Sequence, residues 1–523
     1  MSKALGIVIF RNDLRLHDNP VLTSALQQCA RLLPVFIWDP RFFGEDKATW
    51  HFKFPRCHGR QKRFLLESIG DLKARLQSKQ SDLILLQGDP LRVLRDQVLP
   101  LYKGDDVRLF MSAEYTYEEN ILVHQLRRHV PDVPLRVIHT STMVPPHKLP
   151  CRIQEMPDVF SQFRTMVEKA RRFDSAVVAP PVPEPTQLKP LPSQLPSSVD
   201  SILDGLETLP RQPAKSAFPW KGGETAALER MHSYFYGGNV RTYKQTRNGL
   251  VGTEYSTKFS PWLARGCLSA RQIMHDLARY EDAKGGNEST YWVWFELLWR
   301  DYLKFVAMKF GNRLFFEGGI YDKQLEWHND MAKFRKWCEG KTGVPFVDAN
   351  MRELAATGWM SNRGRQNVAS FLVRDLKIDW RLGAEWFESL LLDHDPASNY
   401  GNWLYVAGLG NDPREDRYFN MIKQAKDYDP HGEFVLQWLP ELRGAVKNQA
   451  LVHTPWLDPE STYPAPITKG RGWTTHSARK GDSHKANGNK NEKSKGYRSG
   501  RHGFTKSARE PGQAPITSFF TAT

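Results

Sequence analysis

The sequence predicts an N-terminal α/β domain of Rossmann-like type, with a doubly wound parallel sheet, and a C-terminal all-α domain. A long linker joins them and a basic tail follows. Three observations predict this. Residues 5–140 alternate short apolar runs with helical patterns, strand-like runs vanish between Trp220 and Pro455, and ten of the 34 prolines crowd between Pro180 and Pro219. At 523 residues the chain is too long for one ordinary core and long enough for two or three domains. The predicted boundaries are 1–140, linker 141–219, helical domain 220–457 and tail 458–523.

LGIVIF, LLPVFIW, DLILLQG, DVRLFMS and LRVIHT read as buried strands. DNPVLTSALQQCA, GRQKRFLLESIGDLKARLQ, PLRVLRDQVL and YEENILVHQLRRH read as the helices between them, the spacing of a parallel sheet covered on both faces. RNDLR follows the first strand where a dinucleotide fold would carry G-x-G-x-x-G, so any nucleotide is expected to bind elsewhere. The Pro-rich stretch reads as an extended linker without its own core.

Five cysteines, at 29, 57, 151, 267 and 338, show no paired C-x-x-C spacing, which favours a reduced compartment over a disulfide framework; no metal set is apparent. The chain opens on its first strand, so no secretory or transit segment is expected, and no apolar run approaches membrane length. The expected product is a monomer of the nucleus or cytoplasm. The net charge of +15 favours a polyanionic partner, and twelve Lys or Arg against three acids from Lys469 onward place +9 of it in the tail. That tail lacks periodicity and is expected to be disordered.

The helical domain is organised around residues 357–405, which interleave Asn362, Arg363, Arg365, Asp393, Asp395 and Asn399 with Trp359, Trp380, Trp386 and Trp403. Val368, Phe371, Leu372 and Leu376 mark one helix, Gly383 is expected to break it, and Trp386, Phe387, Leu390 and Leu391 mark the next. Polar groups at such helix ends, between aromatic walls, suit a planar, ring-shaped cofactor. Arg365 and Asp393 could pair at its edge; alternatively, DHDP and SNYG are ordinary turn chemistry.

In STKFSPWLARGCLSAR, Ser260 is the expected N-cap and Pro261 the first helical residue. The free amides there, with Ser256, Thr257 and Lys258, offer a phosphate site, or simply a capped helix. In YWVWFELLWRDYLKF, Trp292, Glu296 and Trp299 share one helix face. A glutamate there is ordinarily an edge residue reaching water; among indoles it could instead hold the imide edge of a stacked pyrimidine. Of the sixteen tryptophans, core packing explains most, and a subset could carry an electron hole.

Together these residues resemble the photolyase and cryptochrome flavoproteins, specifically the cryptochrome DASH branch. The likeness runs from residue 5 to about 457 through IVIFRNDLRLHDNP, EGKTGVPFVDANMREL, TGWMSNRGRQNVASFLVRDL, DPASNYGNWLY and FNMIKQAKDYDPHGEFVLQWLPEL. The resemblance implies an antenna chromophore on the α/β domain and FAD in the helical domain. It places Tyr243 and the run Ser256, Thr257, Lys258, Phe259, Ser260 on the phosphate side of FAD. Asn362, Arg365, Asp393, Asp395 and Asn399 fall on the flavin side, with Asn399 at the reactive N5. Trp403, Trp380 and Trp327 match the electron chain; Glu296, Trp299 and Asn362 match the substrate pocket.

The implied reaction is light-driven, FAD-dependent repair of cyclobutane pyrimidine dimers by electron transfer from photoexcited reduced flavin. Gln366 stands where duplex-acting photolyases have methionine and Tyr405 where they have tryptophan. Such a pocket returns less free energy for extracting a dimer from a stacked duplex, so single-stranded DNA is the expected substrate. Methenyltetrahydrofolate is the implied antenna, held through Glu118 or Glu119, although acids also favour a helix start without any ligand. In the tail, Gln513, Ile516, Phe519 and Phe520 match the Q-x-x-I-x-x-F-F pattern of peptides that bind the replication sliding clamp. Rival functions are a blue-light signalling photoreceptor that keeps FAD without repair, and a nucleic-acid-binding regulator.

Overall fold

The first strand, β1 (Leu5–Phe10), is buried along its whole length and sits mid-sheet. With β2 (Arg31–Trp38), β3 (Ile84–Gln87), β4 (Val107–Ser112) and β5 (Leu135–Ile138) it forms a five-stranded sheet of order β3-β2-β1-β4-β5, parallel throughout. The computed structural model describes residues 4–470 and Trp473, apart from 45–47, 50, 174–177, 329 and 415–416. Most of the basic tail, including Gln513, Ile516, Phe519 and Phe520, lies outside the described residues.

Period-two alternation sends the strand side chains to two different cores. Leu5, Ile7, Ile9, Leu33, Val35 and Ile37 pack under Leu122, Val123 and Leu126 of one covering helix. Val8, Phe10, Leu32 and Phe36 face the other way, against α1 (Pro20–Gln28) and α2 (Gly59–Gln77). The helix on the first face is α3 (Tyr117–His129). The second face does not end at the α/β domain, because its cluster continues into Trp262, Leu263 and the buried aromatics of the helical domain.

The loop after β1 explains the missing phosphate signature. Arg15 is buried and donates to the carbonyls of His17, Asp18, Thr140 and Gly266, the last at 2.9 Å. Gly266 has φ +66, and a Cβ there would lie 2.0 Å from the Asn12 carbonyl oxygen, so only glycine allows this approach. The space a dinucleotide would use is a joint between domains.

Within 141–219 the chain forms α4 (Phe160–Phe173), whose Phe160 ring meets Trp299 edge-on at 4.7 Å, and a 3-10 helix at Asp200–Glu207. Then follow α5 (Glu224–Tyr236), α6 (Ser260–Arg265) and the long α7 (Glu288–Phe310), which starts in a capping box between Asn287 and Thr290. Next come α8 (Asn362–Ser370), α9 (Trp380–Leu390) and α10 (Pro396–Ala407). Among the described residues no helix is long and apolar enough to cross a membrane.

Three local expectations are corrected. Ser260 is the first residue of α6 and makes no cap bond to it; Phe259 precedes the helix, and the Ser260 hydroxyl donates to Asp393 instead. Gly383 does not break a helix. The break comes earlier, where α8 runs into a π-turn at Phe371–Asp375 and Lys377 takes φ +52, and Gly383 lies inside α9. SNYG is not a turn but part of α10, because Asp395 accepts from the Ser398 amide at 2.9 Å and Pro396 opens the helix.

Candidate functional site

One face of α7 carries Trp292, Glu296 and Trp299, as the spacing requires. Glu296 is fully buried; its Oε1 accepts from Arg247 Nη1 at 2.8 Å and from the Trp292 indole at 3.2 Å. The Arg247 guanidinium lies over the Trp292 ring at 5.1 Å, which fixes the carboxylate from two sides. Trp299 donates to Asn402 Oδ1 at 3.3 Å and meets Tyr405 edge-on at 5.5 Å. Both partners lie on α10, so α7 and α10 build one wall together.

The other residues expected at a substrate pocket lie at the start of α8. Arg363 donates to Gln366 Oε1 at 2.6 Å and to Asn248 Oδ1 at 3.1 Å, and burial pulls its guanidinium down to about 10. Asn362 and Gln366 are buried beside it. Sequence reasoning missed Arg247, Asn248 and Asn402 as site residues. They lie far from the residues they hold and follow no periodic pattern, so only the fold brings them in.

Asp393 joins the two groups expected to hold a cofactor. Its Oδ2 receives Arg365 Nη2 at 2.8 Å and the Ser260 hydroxyl at 2.7 Å, while Arg365 Nε donates to the Met360 carbonyl. Asn399, one turn into α10, donates to the Ala384 carbonyl at 2.9 Å, and its Oδ1 is buried with no hydrogen-bond partner. Thr257 Oγ1, Ser398 Oγ and Lys258 Nζ are likewise buried and unbonded. Lys258 sits at φ +63 with its ammonium 3.1 Å above the Tyr255 ring, and burial holds it well below the usual lysine range. Tyr243 and Phe259 are buried against Tyr234. Unbonded buried polar atoms are costly, about 1–3 kcal/mol each. Three of the four, on Thr257, Lys258 and Asn399, come from the two predicted groups, and they fit a polar ligand that would complete them.

Asp395 turns the other way. Its carboxylate pairs with Lys304, and although burial would raise it, Lys304 and Arg300 hold it well below the usual range. It lines a cavity of about 380 Å³ between the domains, with Phe42, Arg56, Glu118, Glu119 and Tyr400. Glu118 pairs with Arg56 at 2.7 Å. Glu119 accepts from Thr116 at 2.8 Å, and burial, then the Glu114 and Asp395 carboxylates, push it up to about 8.

Trp403 is buried against Phe387, ring centroids 5.2 Å apart, and Trp380 donates to the Glu317 carbonyl at 3.1 Å. A Cβ on Gly383 would lie 2.2 Å from the Trp403 ring, so this glycine lets Trp403 rest directly on the helix that carries Trp380. Trp327 is half-buried, and the next residue, His328, donates its amide to Lys377, close to the start of that helix.

Comparison with known proteins agrees with this geometry. Residues 292–480 match the FAD binding domain of DNA photolyase and residues 6–186 match DNA photolyase. Cryptochrome DASH of Danio rerio is 48% identical over 486 residues, covering 90% of this chain and 91% of that relative. Its counterpart in Gloeobacter violaceus is 47% identical, covering 87% and 89%. The solved structure of a Synechocystis sp. cryptochrome superposes with a TM-score of 0.81 at 41% identity, covering 90% of this chain and 97% of that one. A bacterial class III photolyase from Agrobacterium tumefaciens gives 0.75 at 28% identity, covering 90% and 95%. The chain therefore belongs to the photolyase and cryptochrome family, with the cryptochrome DASH proteins among its relatives and an FAD-binding domain in its helical half.

Proposed function

We propose that this protein repairs cyclobutane pyrimidine dimers in single-stranded DNA under blue light. The observation that carries the reading is Glu296. A buried carboxylate fixed by Arg247 and Trp292, on the same face as Trp299, can accept the N–H edge of a pyrimidine lying against that indole. FAD, when bound, supplies the light-driven electron donor. This chain's residues bind and orient it: Ser256, Thr257, Lys258, Ser260 and Tyr243 on the phosphate side, and Asn362, Arg365, Asp393 and Asn399 on the ring side. Asp395 caps the helix that presents Asn399. Trp403, Trp380 and Trp327 form the route by which electrons reach the cofactor.

Glu296 holds the dimer, and the Arg247 guanidinium beside it stabilises the negative charge that develops on it. Trp299 and Tyr405 form the apolar wall, and Gln366, bonded to Arg363, makes the pocket more polar. That balance favours a dimer already unstacked, since flipping one out of a duplex costs a few kcal/mol. The cavity between the domains suits methenyltetrahydrofolate, with Glu118 and Glu119 as its acidic partners.

The test is dimer repair by the photoreduced protein, in a single strand and in the same sequence as duplex, with Glu296→Ala alongside. The expected result is repair of the single strand, poor repair of the duplex, and a loss of about a hundredfold or more in the mutant. No repair despite bound, reducible FAD would make the protein a light receptor. Equal turnover of both substrates would remove the strand preference.

A further inference from the structure

Tyr400 and Glu388 border the cavity between the domains, and no role has been given to either, yet their geometry is specific. Tyr400, on α10, is buried, and its ring meets Trp380 edge-on with centroids 6.1 Å apart at 84°. Its hydroxyl donates to Glu388 Oε2 at 3.0 Å. Glu388 follows Trp380 by eight residues on α9, and its Oε1 lies 3.2 Å from Arg56 Nε. Glu118, on the far side of Arg56, Glu385 and His394 are the other titratable groups around it.

We propose that Tyr400 is a proton-coupled electron donor to Trp380, with Glu388 as its proton acceptor. A phenol is a poor electron donor unless its proton leaves with the electron, and a buried phenol needs a base within hydrogen-bond reach. When Trp380 carries a hole as an indole radical cation, one electron passes from the Tyr400 ring to it. The phenolic O–H bond breaks and the proton goes to Glu388 Oε2. The indole returns to neutral, Tyr400 becomes a neutral phenoxyl radical and Glu388 becomes a neutral acid, so charge is conserved.

Burial raises Tyr400 well above the usual phenol, which opposes simple deprotonation and leaves the coupled step as the available one. Burial also lifts Glu388 to about 7, a basicity suited to taking and returning a proton near neutrality. The branch moves the hole off the line from Trp403 to Trp327 and stores it in the interior.

This inference rests on the reading of Trp380 as an electron carrier, and flash excitation of the full-length, FAD-loaded protein separates the two. Time-resolved absorption and EPR are expected to show a tyrosyl radical rising as the tryptophan radical decays, more slowly in D2O. Tyr400→Phe, which keeps the ring and its packing, should abolish the tyrosyl signal and prolong the tryptophan one. Glu388→Gln should slow its formation by about a hundredfold.

A tryptophan radical that decays with no tyrosyl signal overturns the proposal and leaves the tryptophan route intact. So does a tyrosyl signal that survives Tyr400→Phe, or one formed at the wild-type rate in Glu388→Gln. No tryptophan radical at all, with Trp380→Phe indistinguishable from wild type, overturns both.

Discussion

Glu296 and Glu388 are both buried carboxylates on helix faces, and their neighbours divide their roles. Glu296 has two donors on one oxygen, an arginine and an indole, and so is fixed in place for a guest. Glu388 has a phenol on one oxygen and an arginine on the other, and so sits in a proton path. The first is legible in the sequence because i, i+4, i+7 spacing among tryptophans forces a shared face. The second is not, because Tyr400 and Glu388 come together only through the packing of α10 on α9. Gly383 gives a residue-scale prediction. Gly383→Ala would force Trp403 off α9 and cost about 1–3 kcal/mol, seen as a lowered thermal midpoint together with slower photoreduction of the bound flavin. A variant with unchanged stability and photoreduction would show that Trp403 does not need this close seat.

Helix ends decide the site at the next scale. Expecting Gly383 to end a helix follows from its intrinsic cost of about 1 kcal/mol relative to alanine. Here that cost is outweighed by the close seat it gives Trp403, and the chain turns at Lys377 instead. Conversely, DHDP has the composition of a plain turn, whereas Asp395 uses it to start α10 and aim Asn399. This cap carries a pH dependence. Asp395 is held below the ordinary carboxylate range, so its stabilisation is fully present above about pH 4 and is lost as pH falls further. Asp395→Asn should therefore lower the urea midpoint near neutrality, by about 1–3 kcal/mol of stability, and the gap from wild type should narrow in acid. A gap that widens on acidification would show that the Lys304 pair does not act this way.

For the whole molecule, the α/β and all-α classes and the parallel sheet can be read from short apolar runs interleaved with helical patterns, because strands buried on both faces read as near-continuous apolar runs. The position of one domain on the other cannot, since Arg15 and Gly266 meet across 251 residues of sequence. The charge distribution also acts at this scale. Removing residues 469–523 takes away +9 and leaves +6, which should flatten the salt dependence of single-strand binding, with a slope reduced by about 0.7 for each phosphate that the tail neutralises. Repair at saturating substrate should persist. If the tail binds the sliding clamp, a peptide spanning Gln513 to Phe520 should be captured by the clamp and released by the double change Phe519→Ala, Phe520→Ala; capture that survives the change would refute it.

The sheet face that runs from Val8 and Phe10 into Trp262 and Leu263 makes one interior out of two fold classes. Unfolding is then expected to be a single cooperative event, not two melts in sequence. A calorimetric trace should show one transition, and the α/β half expressed alone should expose an apolar face and aggregate. The cavity at the seam thus gains its rigidity from both halves at once. Over generations its occupant could be exchanged by altering a few lining residues, while the halves themselves remain inseparable.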